Sequence, residues 1–594
     1  MQKVLLMGNE AIARGAIEAG VMVATAYPGT PSTEVFSTLA DLAPEYGFYA
    51  EWSVNEKVAL EVAAGAAYTG ARAMVSMKQM GLNVASDALM SLAYIGVKGG
   101  LVLVVADDPG PQSSQTEQDT RKFAAFAGVP VFDPATPQEA KDMVQAAFEL
   151  SEKFGLPVIL RPTTRVSHVS QDITLGDVKK LERSCHFQRD PRWVILPKLA
   201  YKQHIWLDRV QAEVAEEFND SPFNRLSLKG KAGIVTSGVA YNYVLEACQE
   251  LKLEPSLLKI GTPYPLPPKP ALEMLASCGQ VLVIEEQEAV VEDQLIKLAW
   301  QNRLGTAISG KHDSYVPREG ELSVDKVKTV LISYFNLPRD DMPEMDVAPL
   351  PLRAPGLCAG CPHRASFLAF KELMRRDDVV FTGDIGCYTL GAEPPLEMLD
   401  TCLCMGAGIT LAVGMSKIEP ERKHVAFIGD STFFHSGVPG LIDAVYNNAN
   451  IVVVVLDNGT TAMTGHQPHP GTARTATGVN GAVLDPGEIA RSCGVKFVRE
   501  VDPYLVSEMK TCAREALEFD GPAVIVARRA CVLQADSLRA YSIDAELCTG
   551  CELCIKKLGC PAIVKNQVVQ ISAACAGCGV CARICPSQAI CEVV

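Results

Sequence analysis

The last 47 residues of the chain carry two runs of cysteines with nearly the same spacing. Each run has three cysteines separated by two residues and ends in a Cys-Pro pair. Three thiolates at this spacing can hold three corners of a cubane iron–sulfur cluster, and in two-cluster ferredoxins the fourth cysteine of each run ligates the other cluster. The predicted ligand sets are Cys548, Cys551, Cys554 and Cys585 for one 4Fe–4S cluster, and Cys575, Cys578, Cys581 and Cys560 for the other.

The two runs differ in the loop before the last cysteine, which has five residues in the first run and three in the second. This insertion keeps ligation feasible but changes the hydrogen bonds to the sulfurs, and with them the reduction potential. Paired zinc sites built from CxxC units are the alternative. Zinc sites rarely add a third CxxC step with a trailing Cys-Pro, so the pattern favours an electron relay.

Composition predicts a reducing compartment and excludes two classes of partner. The chain has 594 residues, 20 cysteines and a net charge of −15. A secreted disulfide scaffold would be short and carry a leader, whereas Glu10 and Glu18 interrupt the N-terminal apolar stretch here. Nucleic acid and anionic membranes need a basic surface, and no apolar run approaches about 18 residues. We therefore expect a cytoplasmic protein that binds neither nucleic acid nor membrane.

The order of apolar runs predicts several α/β domains. Short apolar runs at 3–7, 21–24, 73–77, 101–105 and 157–161 alternate with helical stretches, which indicates strands of an open parallel sheet. The predicted segments are an α/β domain at 1–180, a helical connector at 181–229, an α/β domain at 230–336, a Pro-rich linker at 337–356, an α/β domain at 357–535 and the cysteine-rich tail at 541–594.

Two loops of the third α/β segment carry hard oxygen ligands. A strand ending in Gly429 is followed by Asp430 and Ser431, and a second strand is followed by Asn458 and Thr460. Both loops emerge at the carboxyl edge of a parallel sheet, where an aspartate and an asparagine can bind Mg²⁺ together with diphosphate oxygens. Glycine at 429 lets the backbone approach phosphates. A generic nucleotide site and a plain Gly-Asp turn are the alternatives.

The spacing of 28 residues between Asp430 and Asn458 resembles the thiamine diphosphate signature, with Ser431 where most members of that superfamily have glycine. This cofactor also needs a carboxylate against its aminopyrimidine ring. Glu56 in the first domain is the candidate because it opens a helix of small apolar residues. The alternative is a solvated glutamate at a helix start, and Glu51 and Glu61 are the nearby carboxylates.

Taken together, these motifs resemble the 2-oxoacid:ferredoxin oxidoreductases along the whole chain, and within that family the α subunits that act on indolepyruvate. The residues that carry the resemblance are the segment 26–32, Glu56, the segment 358–364, the segment 383–387, Gly429-Asp430, Asp457-Asn458 and the tail. The resemblance implies that Asp430, Asn458 and the carbonyl of Thr460 hold Mg²⁺, that Glu56 meets the pyrimidine, and that Thr30 lies near the substrate carboxylate.

The resemblance also implies the architecture. It makes 1–180 a thiamine pyrimidine-binding type domain, 230–336 a transketolase C-terminal-like domain, 357–535 the thiamine diphosphate and magnesium domain, and 541–594 a two-cluster ferredoxin-like α+β domain.

The implied activity is oxidative decarboxylation of arylpyruvates, chiefly indolepyruvate, to aryl-acetyl-CoA and CO₂. Electrons pass through the clusters to an external ferredoxin, coenzyme A takes the acyl group, and a smaller β subunit completes the enzyme. One alternative is the same chemistry on another 2-oxo acid: pyruvate, 2-oxoglutarate, a branched-chain oxo acid or phenylglyoxylate. The other alternative is an electron-transfer subunit without catalytic activity.

Two further sets of residues are candidates for function. Cys358, Cys361, Cys387 and Cys531 fall where related enzymes place a third cluster, with zinc binding or structural thiols as alternatives. His466, after the magnesium loop, is the acid–base candidate among the histidines, with a structural role as its alternative. The remaining eight cysteines are expected to be packing residues, although Cys402 and Cys404 could also line the cofactor site.

Overall fold

The computed structural model describes residues 2–178, 184–338, 355–375, 378–536 and 538–593. The chain forms two compact units, Met1–Asp346 and Val347–Val594. Most of the predicted linker 337–356 lies outside the described residues, and the finer division into six segments stays a prediction. Among the helices that are described, none is long and apolar enough to cross a membrane.

The first unit contains a six-stranded parallel sheet. Its strand Leu101–Ala106 is apolar and buried along its whole length, as is typical of a parallel strand covered on both faces by helices. In spatial order the strands are Tyr49–Trp52, Val23–Ala26, Ala73–Lys78, Leu101–Ala106, Val158–Leu160 and Val131–Phe132. The helices are Gly8–Glu18, Thr33–Tyr46, Glu56–Thr69, Gln79–Val84, Ser86–Ile95, Thr120–Ala127, Pro137–Phe154 and Thr164–His168.

The strand Lys3–Met7 lies outside this sheet, so its predicted place in the parallel sheet was wrong. It pairs antiparallel with Ser170–Thr174 as a separate two-stranded sheet. Its side chains are only partly buried, and Leu5 is 66% exposed. Strands of a parallel sheet are covered on both faces, which this strand is not.

A second sheet of the first unit has five strands. In spatial order they are Ala307–Ser309, Gln280–Ile284, Ala232–Ser237, Ser256–Ile260 and Arg225–Ser227, and only the last is antiparallel to its neighbour. Its helices are Ala240–Glu250, Pro268–Ser277, Val291–Gln301 and Val324–Tyr334. A 3₁₀ turn, Pro191–Trp193, and the long helix Pro197–Phe218 lie between the two sheets in the sequence.

Buried arginines connect the two sheets of the first unit. Arg121 has no exposed surface and donates to Glu285 Oε2 at 2.9 Å. Arg161, also buried, donates to Asp107 Oδ2 at 2.7 Å and to the side chain of Gln287. Because buried charges are stable only when paired and hydrogen-bonded, these contacts fix the loops at the carboxyl edge of the first sheet.

The second unit is built on another six-stranded parallel sheet. In spatial order its strands are Thr401–Cys402, Val379–Gly383, Lys423–Gly429, Val452–Asp457, Ala523–Arg528 and Phe497–Val501. The α-helices are Pro362–Leu373, Ala407–Ile418, Asp430–Thr432, Val438–Tyr446, Pro486–Ser492 and Val506–Glu518, with 3₁₀ turns Cys387–Ala392 and Ala462–Thr464 and a π turn Phe433–Gly437.

The tail is a small α+β fold, as predicted. It has two antiparallel strand pairs, Tyr541–Ile543 with Ile590–Glu592 and Ile563–Lys565 with Val569–Ile571. Two single-turn helices, Leu553–Lys556 and Val580–Arg583, each contain the third cysteine of a run. The apolar side chains of the tail pack in one cluster with Ala365, Leu368, Tyr504 and Val506 of the preceding sheet domain.

Candidate active site and cysteine sets

Asp430 lies directly after the strand Lys423–Gly429 and is buried. Its Oδ2 accepts a hydrogen bond from Gly459 N at 2.8 Å and lies 3.1 Å from His469 Nε2, while its Oδ1 accepts from Ser431 N at 2.8 Å. Burial raises the pKa of Asp430, but the hydrogen bond and charge of His469 outweigh it and hold this pKa below its usual value. An ionised carboxylate at this edge suits a hard cation such as Mg²⁺.

Asn458 and Thr460 follow the neighbouring strand Val452–Asp457 and are both buried. Asn458 Oδ1 accepts from Thr460 N at 3.3 Å, and the backbone carbonyl of Asn458 accepts from Cys531 N at 2.9 Å. Because the two strands pair in parallel, their loops meet at one edge of the sheet. The carboxylate and the amide that the sequence singled out therefore lie on adjacent loops.

A cavity of about 330 Å³ opens at this edge. Its walls include Asp430, Asp457, Asp485 and Arg528. Arg528 Nε lies 2.9 Å from Asp457 Oδ2, and the same guanidinium pairs with Asp485. This guanidinium is thus paired with two carboxylates, while the Asp430 carboxylate at the same edge is a hard oxygen ligand of the kind that Mg²⁺ prefers. The donor set therefore fits a diphosphate bound through Mg²⁺.

Gly429 and Ser431 are held closely at the same loop. A Cβ on Gly429 would lie 2.8 Å from Tyr388 Cε1, so the ring of Tyr388 is one reason for glycine here, besides the predicted approach to phosphates. Ser431 is buried, and its Oγ accepts a hydrogen bond from Thr461 Oγ1 at 2.9 Å.

The histidine beside Asp430 is His469, whereas sequence reasoning favoured His466. His466 has a φ of 66°, and its backbone N donates to Thr461 O at 3.0 Å. Its Nδ1 is buried and has no hydrogen-bond partner among the residues that the structure describes. His363 Nε2 lies 3.5 Å from Asn458 Nδ2, and burial lowers the pKa of His363 to about 4. Nothing in the sequence shows which of these histidines lies beside Asp430 or Asn458, because that depends on how loops from distant parts of the chain pack together.

The first predicted cluster set comes together in the tail. Its four sulfur-bearing residues line a single small cavity: Cys548, Cys551, Cys554 and Cys585. Burial raises the pKa of the Cys554 thiol, and the nearby Cys551 and Cys585 raise it further. Cys585 of the other run thus lies with the three cysteines of the first run, which is the grouping that crossed pairing predicts.

The second predicted set also converges. Burial raises the pKa of Cys581 to about 12, and the thiols of Cys578, Cys560 and Cys575 add to this rise. Tyr541 N approaches Cys575 Sγ at 3.5 Å. Across the described residues, no three His, Cys, Asp or Glu side chains are grouped to hold one metal ion.

A third set lies beside the Asp430 loop. Burial raises the pKa of Cys387 to about 11, and Cys531, Cys358 and Asp430 contribute in the same direction. Cys361 N donates to the carbonyl of Cys358 at 3.2 Å. The fold therefore brings the Cys358–Cys361 pair, Cys387 and Cys531 together, although these three segments are far apart in sequence.

The third and second sets are themselves adjacent. A Cβ on Gly360 would lie 2.8 Å from Ala576 Cβ and 3.8 Å from Cys578 Cβ. Arg364 lies between the sets and donates to the carbonyls of Leu558 and Gly559 at 2.7 and 2.9 Å. The residues around Arg364 do not mark this role, because its carbonyl partners lie almost 200 residues away in the sequence.

The eight cysteines outside these three sets were expected to be packing residues, and this prediction was wrong for three of them. Cys402, Cys404 and Cys591 are exposed, whereas Cys248, Cys278 and Cys512 are buried. Cys402 and Cys404 lie at and just after the end of an edge strand, and Cys591 lies on a short strand of the tail. Peripheral strands such as these leave side chains in water.

Glu56 is the first residue of the helix Glu56–Thr69 in the first unit and is 5% exposed. A Cβ on Gly81 would lie 2.7 Å from Glu56 Oε1, so glycine at 81 leaves room for the carboxylate. The neighbouring carboxylates point elsewhere, because Glu61 forms a surface ion pair with Lys57 and Glu51 accepts from Ser53 Oγ at 2.7 Å. Of the three glutamates, Glu56 is the buried one.

Thr30 lies in the loop after the strand Val23–Ala26, at the same sheet edge. Its carbonyl accepts from Ser113 Oγ at 3.2 Å. Ser32 occupies the N-cap position of the next helix without a capping bond, and its Oγ donates to Gly29 O at 2.8 Å. Thr30 and Glu56 belong to the first unit, and Asp430 and Asn458 belong to the second.

Comparison with known proteins agrees with these features. The family described as "Pyruvate flavodoxin/ferredoxin oxidoreductase, thiamine diP-bdg" matches residues 14–214. The family described as "Thiamine pyrophosphate enzyme, C-terminal TPP binding domain" matches residues 384–527. The 2-oxoglutarate:ferredoxin oxidoreductase from Magnetococcus marinus aligns with 56% of this chain and 65% of its own at 17% identity, with a TM-score of 0.43 that carries no inference.

Relatives match nearly the whole chain. The indolepyruvate oxidoreductase subunit IorA of Pyrococcus horikoshii is 43% identical over 98% of this chain and 96% of its own length. The IorA subunit of Methanothermobacter thermautotrophicus is 43% identical over 99% of this chain and 97% of its own. The 2-oxoglutarate synthase subunit KorA of the latter organism is 28% identical over only 31% of this chain and 50% of its own. The chain therefore belongs to the family of indolepyruvate oxidoreductase IorA subunits.

Proposed function

We propose that the chain is the catalytic subunit of an indolepyruvate:ferredoxin oxidoreductase that forms aryl-acetyl-CoA and CO₂. The observation that carries the proposal is a continuous series of sites in the second unit. Cys387 and Cys531 lie beside Asp430, and the third cysteine set adjoins the second at Cys578. Such a series suits electrons that leave a reacting cofactor and travel outward.

The chain's own residues bind and orient the cofactor in this proposal. Asp430, Asn458 and the carbonyl of Thr460 hold Mg²⁺, and Ser431 lies in the same loop. Glu56 hydrogen-bonds the aminopyrimidine. Bound thiamine diphosphate supplies the electron sink that decarboxylation of a 2-oxo acid requires. His469, beside Asp430, orients this carboxylate.

The three cysteine sets hold three 4Fe–4S clusters in this proposal. Cys358, Cys361, Cys387 and Cys531 form the set nearest the cofactor, and the two tail sets follow. Ten of these twelve thiols are buried or half-buried, which suits cluster ligation, since sheltered sulfurs limit water access to the metal. Bound clusters supply one-electron carriers.

External partners belong to the same proposal. The relatives are named as subunits, which supports a smaller β subunit as partner. Coenzyme A takes the acyl group, and a ferredoxin takes electrons at the tail. The substrate is assigned as indolepyruvate because the two full-length relatives carry that name, whereas the 2-oxoglutarate relative matches a third of the chain.

The test is indolepyruvate-dependent reduction of a low-potential dye by the enzyme assembled with its partner subunit. Asp430→Ala removes the ionised ligand, and we expect both bound thiamine diphosphate and dye reduction to be lost. Asp443→Ala, on the helix Val438–Tyr446, is the matched control. Activity retained by Asp430→Ala without bound cofactor would leave only an electron-transfer role, and faster turnover of pyruvate would overturn the substrate assignment.

A further inference from the structure

Lys78 places a cation at the sheet edge that carries Thr30 and Glu56. It ends the strand Ala73–Lys78 and directly precedes the short helix Gln79–Val84. Its stem lies against the Thr30 loop, since a Cβ on Gly29 would be 3.0 Å from Lys78 Cγ. The side chain is half-buried. Its stem therefore lies against the loop that carries Thr30, and its charge interacts with that of Glu56.

The charges around Lys78 leave this ammonium group available. The carboxylates of Glu56 and Asp108 interact with it through their charge. Asp108 is already occupied: its Oδ1 accepts from Thr164 Oγ1 at 2.7 Å, and its Oδ2 accepts from Ser113 N at 2.9 Å. Burial lowers the pKa of Lys78, and the two carboxylates act in the opposite direction.

The backbone beside Lys78 is held rigidly. Gln79 is buried, its Oε1 accepts from Asp108 N at 3.1 Å, and its Nε2 donates to Thr116 O at 2.8 Å. The buried Arg161 is already paired, because its Nε donates to Asp107 Oδ2 at 2.7 Å. A half-buried cation on a fixed backbone costs free energy unless it is compensated by anions, and a bound substrate carboxylate would add to the compensation that Glu56 and Asp108 supply through their charge.

We propose that Lys78 binds the carboxylate of the 2-oxo acid substrate, next to Thr30. This inference rests on the proposed function, because it assigns a residue to the substrate of that reaction. An ammonium group with three rotatable donors binds a small carboxylate as a point charge. Lys78 thereby sets which end of the substrate faces the Thr30 loop, and it discriminates acids from neutral analogues.

The test compares two inhibitors that differ only in charge, measured on the enzyme assembled with its partner subunit. Indole-3-propionate carries the carboxylate, and indole-3-propionamide is its neutral counterpart. In Lys78→Met we expect the Ki of the acid and the KM of indolepyruvate to rise about 10- to 100-fold, the range of a charged hydrogen bond, with the Ki of the amide unchanged. Lys78→Arg keeps the charge and should bind the acid within about threefold of the wild type.

The control is Lys153→Met, a surface lysine paired with Glu217, which should change neither Ki. If Lys78→Met does not fold, Lys78→Gln takes its place. An unchanged Ki for the acid, an equal loss for acid and amide, or a rise confined to the KM of coenzyme A would each overturn the inference. A wild-type enzyme without indolepyruvate-dependent reduction would instead contradict the proposed function, so the two failures are distinguishable.

Discussion

Gly81 decides at the scale of one residue whether the Glu56 carboxylate can occupy its position. The two residues are 25 positions apart, yet a single added methyl group at 81 would come within 2.7 Å of Glu56 Oε1. That neighbour is the functional end of a buried side chain. The space for the carboxylate is therefore part of the site.

Gly81→Ala should displace the Glu56 carboxylate and reduce kcat at least 10-fold, because a general acid–base group contributes about 10²- to 10⁴-fold and depends on its geometry. The measurement is steady-state turnover of indolepyruvate together with the melting temperature. Gly65→Ala is the control, since a Cβ there meets nothing within 4 Å and alanine favours a helix. Equal activity in the two variants would show that Glu56 needs no such space.

At the scale of elements, the loop after the strand Gln280–Ile284 carries two buried glutamates, Glu285 and Glu286, where the two sheets of the first unit meet. Burial raises the pKa of Glu286 to about 7, and the nearby Arg161 only partly offsets this. Its Oε1 accepts from Leu322 N at 3.0 Å. The Glu286 carboxyl group thus has a hydrogen-bond partner, but burial makes its ionised form less stable than its neutral form.

This shift makes the stability of the first unit depend on pH. The folded pKa of Glu286 lies above its ordinary value of 4.5, so its stabilising contribution is complete below pH 4.5 and is lost as the pH rises through about 7. Glu286→Gln should therefore be more stable than the wild type at pH 8, by on the order of 1–3 kcal/mol, with no gain at pH 4.5.

The measurement is chemical unfolding of the wild type and Glu286→Gln at several pH values. Glutamine keeps an oxygen that can accept from Leu322 N, so packing is preserved. The control Glu288→Gln removes an exposed carboxylate paired with Arg318 and should leave the profile unchanged. Parallel profiles for Glu286→Gln and the wild type would contradict the expectation.

At the scale of the whole molecule, the three cysteine sets and the Asp430 site belong to one compact unit. Twelve cysteines supply the sets, and the tail packs its apolar core against the preceding sheet domain. All the residues of the proposed electron relay thus belong to the second unit.

Iron analysis tests how many of the sets hold clusters. The anaerobically purified chain should contain about twelve iron and twelve sulfide per polypeptide if all three sets are loaded with cubanes. Cys531→Ala should reduce both values to about eight, whereas Cys512→Ala, a buried thiol outside the sets, should leave them at twelve. A wild-type value near eight would eliminate the cluster beside Asp430.

The sequence by itself determined the motifs whose geometry is local. The cysteine spacings predicted the tail because three ligands at short intervals need no other part of the chain, and the parallel α/β pattern placed Asp430 and Asn458 at one sheet edge. The strand Lys3–Met7 was predicted as a strand, but its partner was not, since pairing depends on a segment more than 160 residues away.

Tertiary structure alone decided the contacts between distant segments. It brought Cys358 and Cys361 to Cys387 and Cys531, placed His469 and not His466 against Asp430, and set Lys78 beside Thr30. These relations depend on how sheets and loops pack, and packing follows from total burial and not from spacing along the chain. The residue types predicted the chemistry, and the fold determined which of them meet.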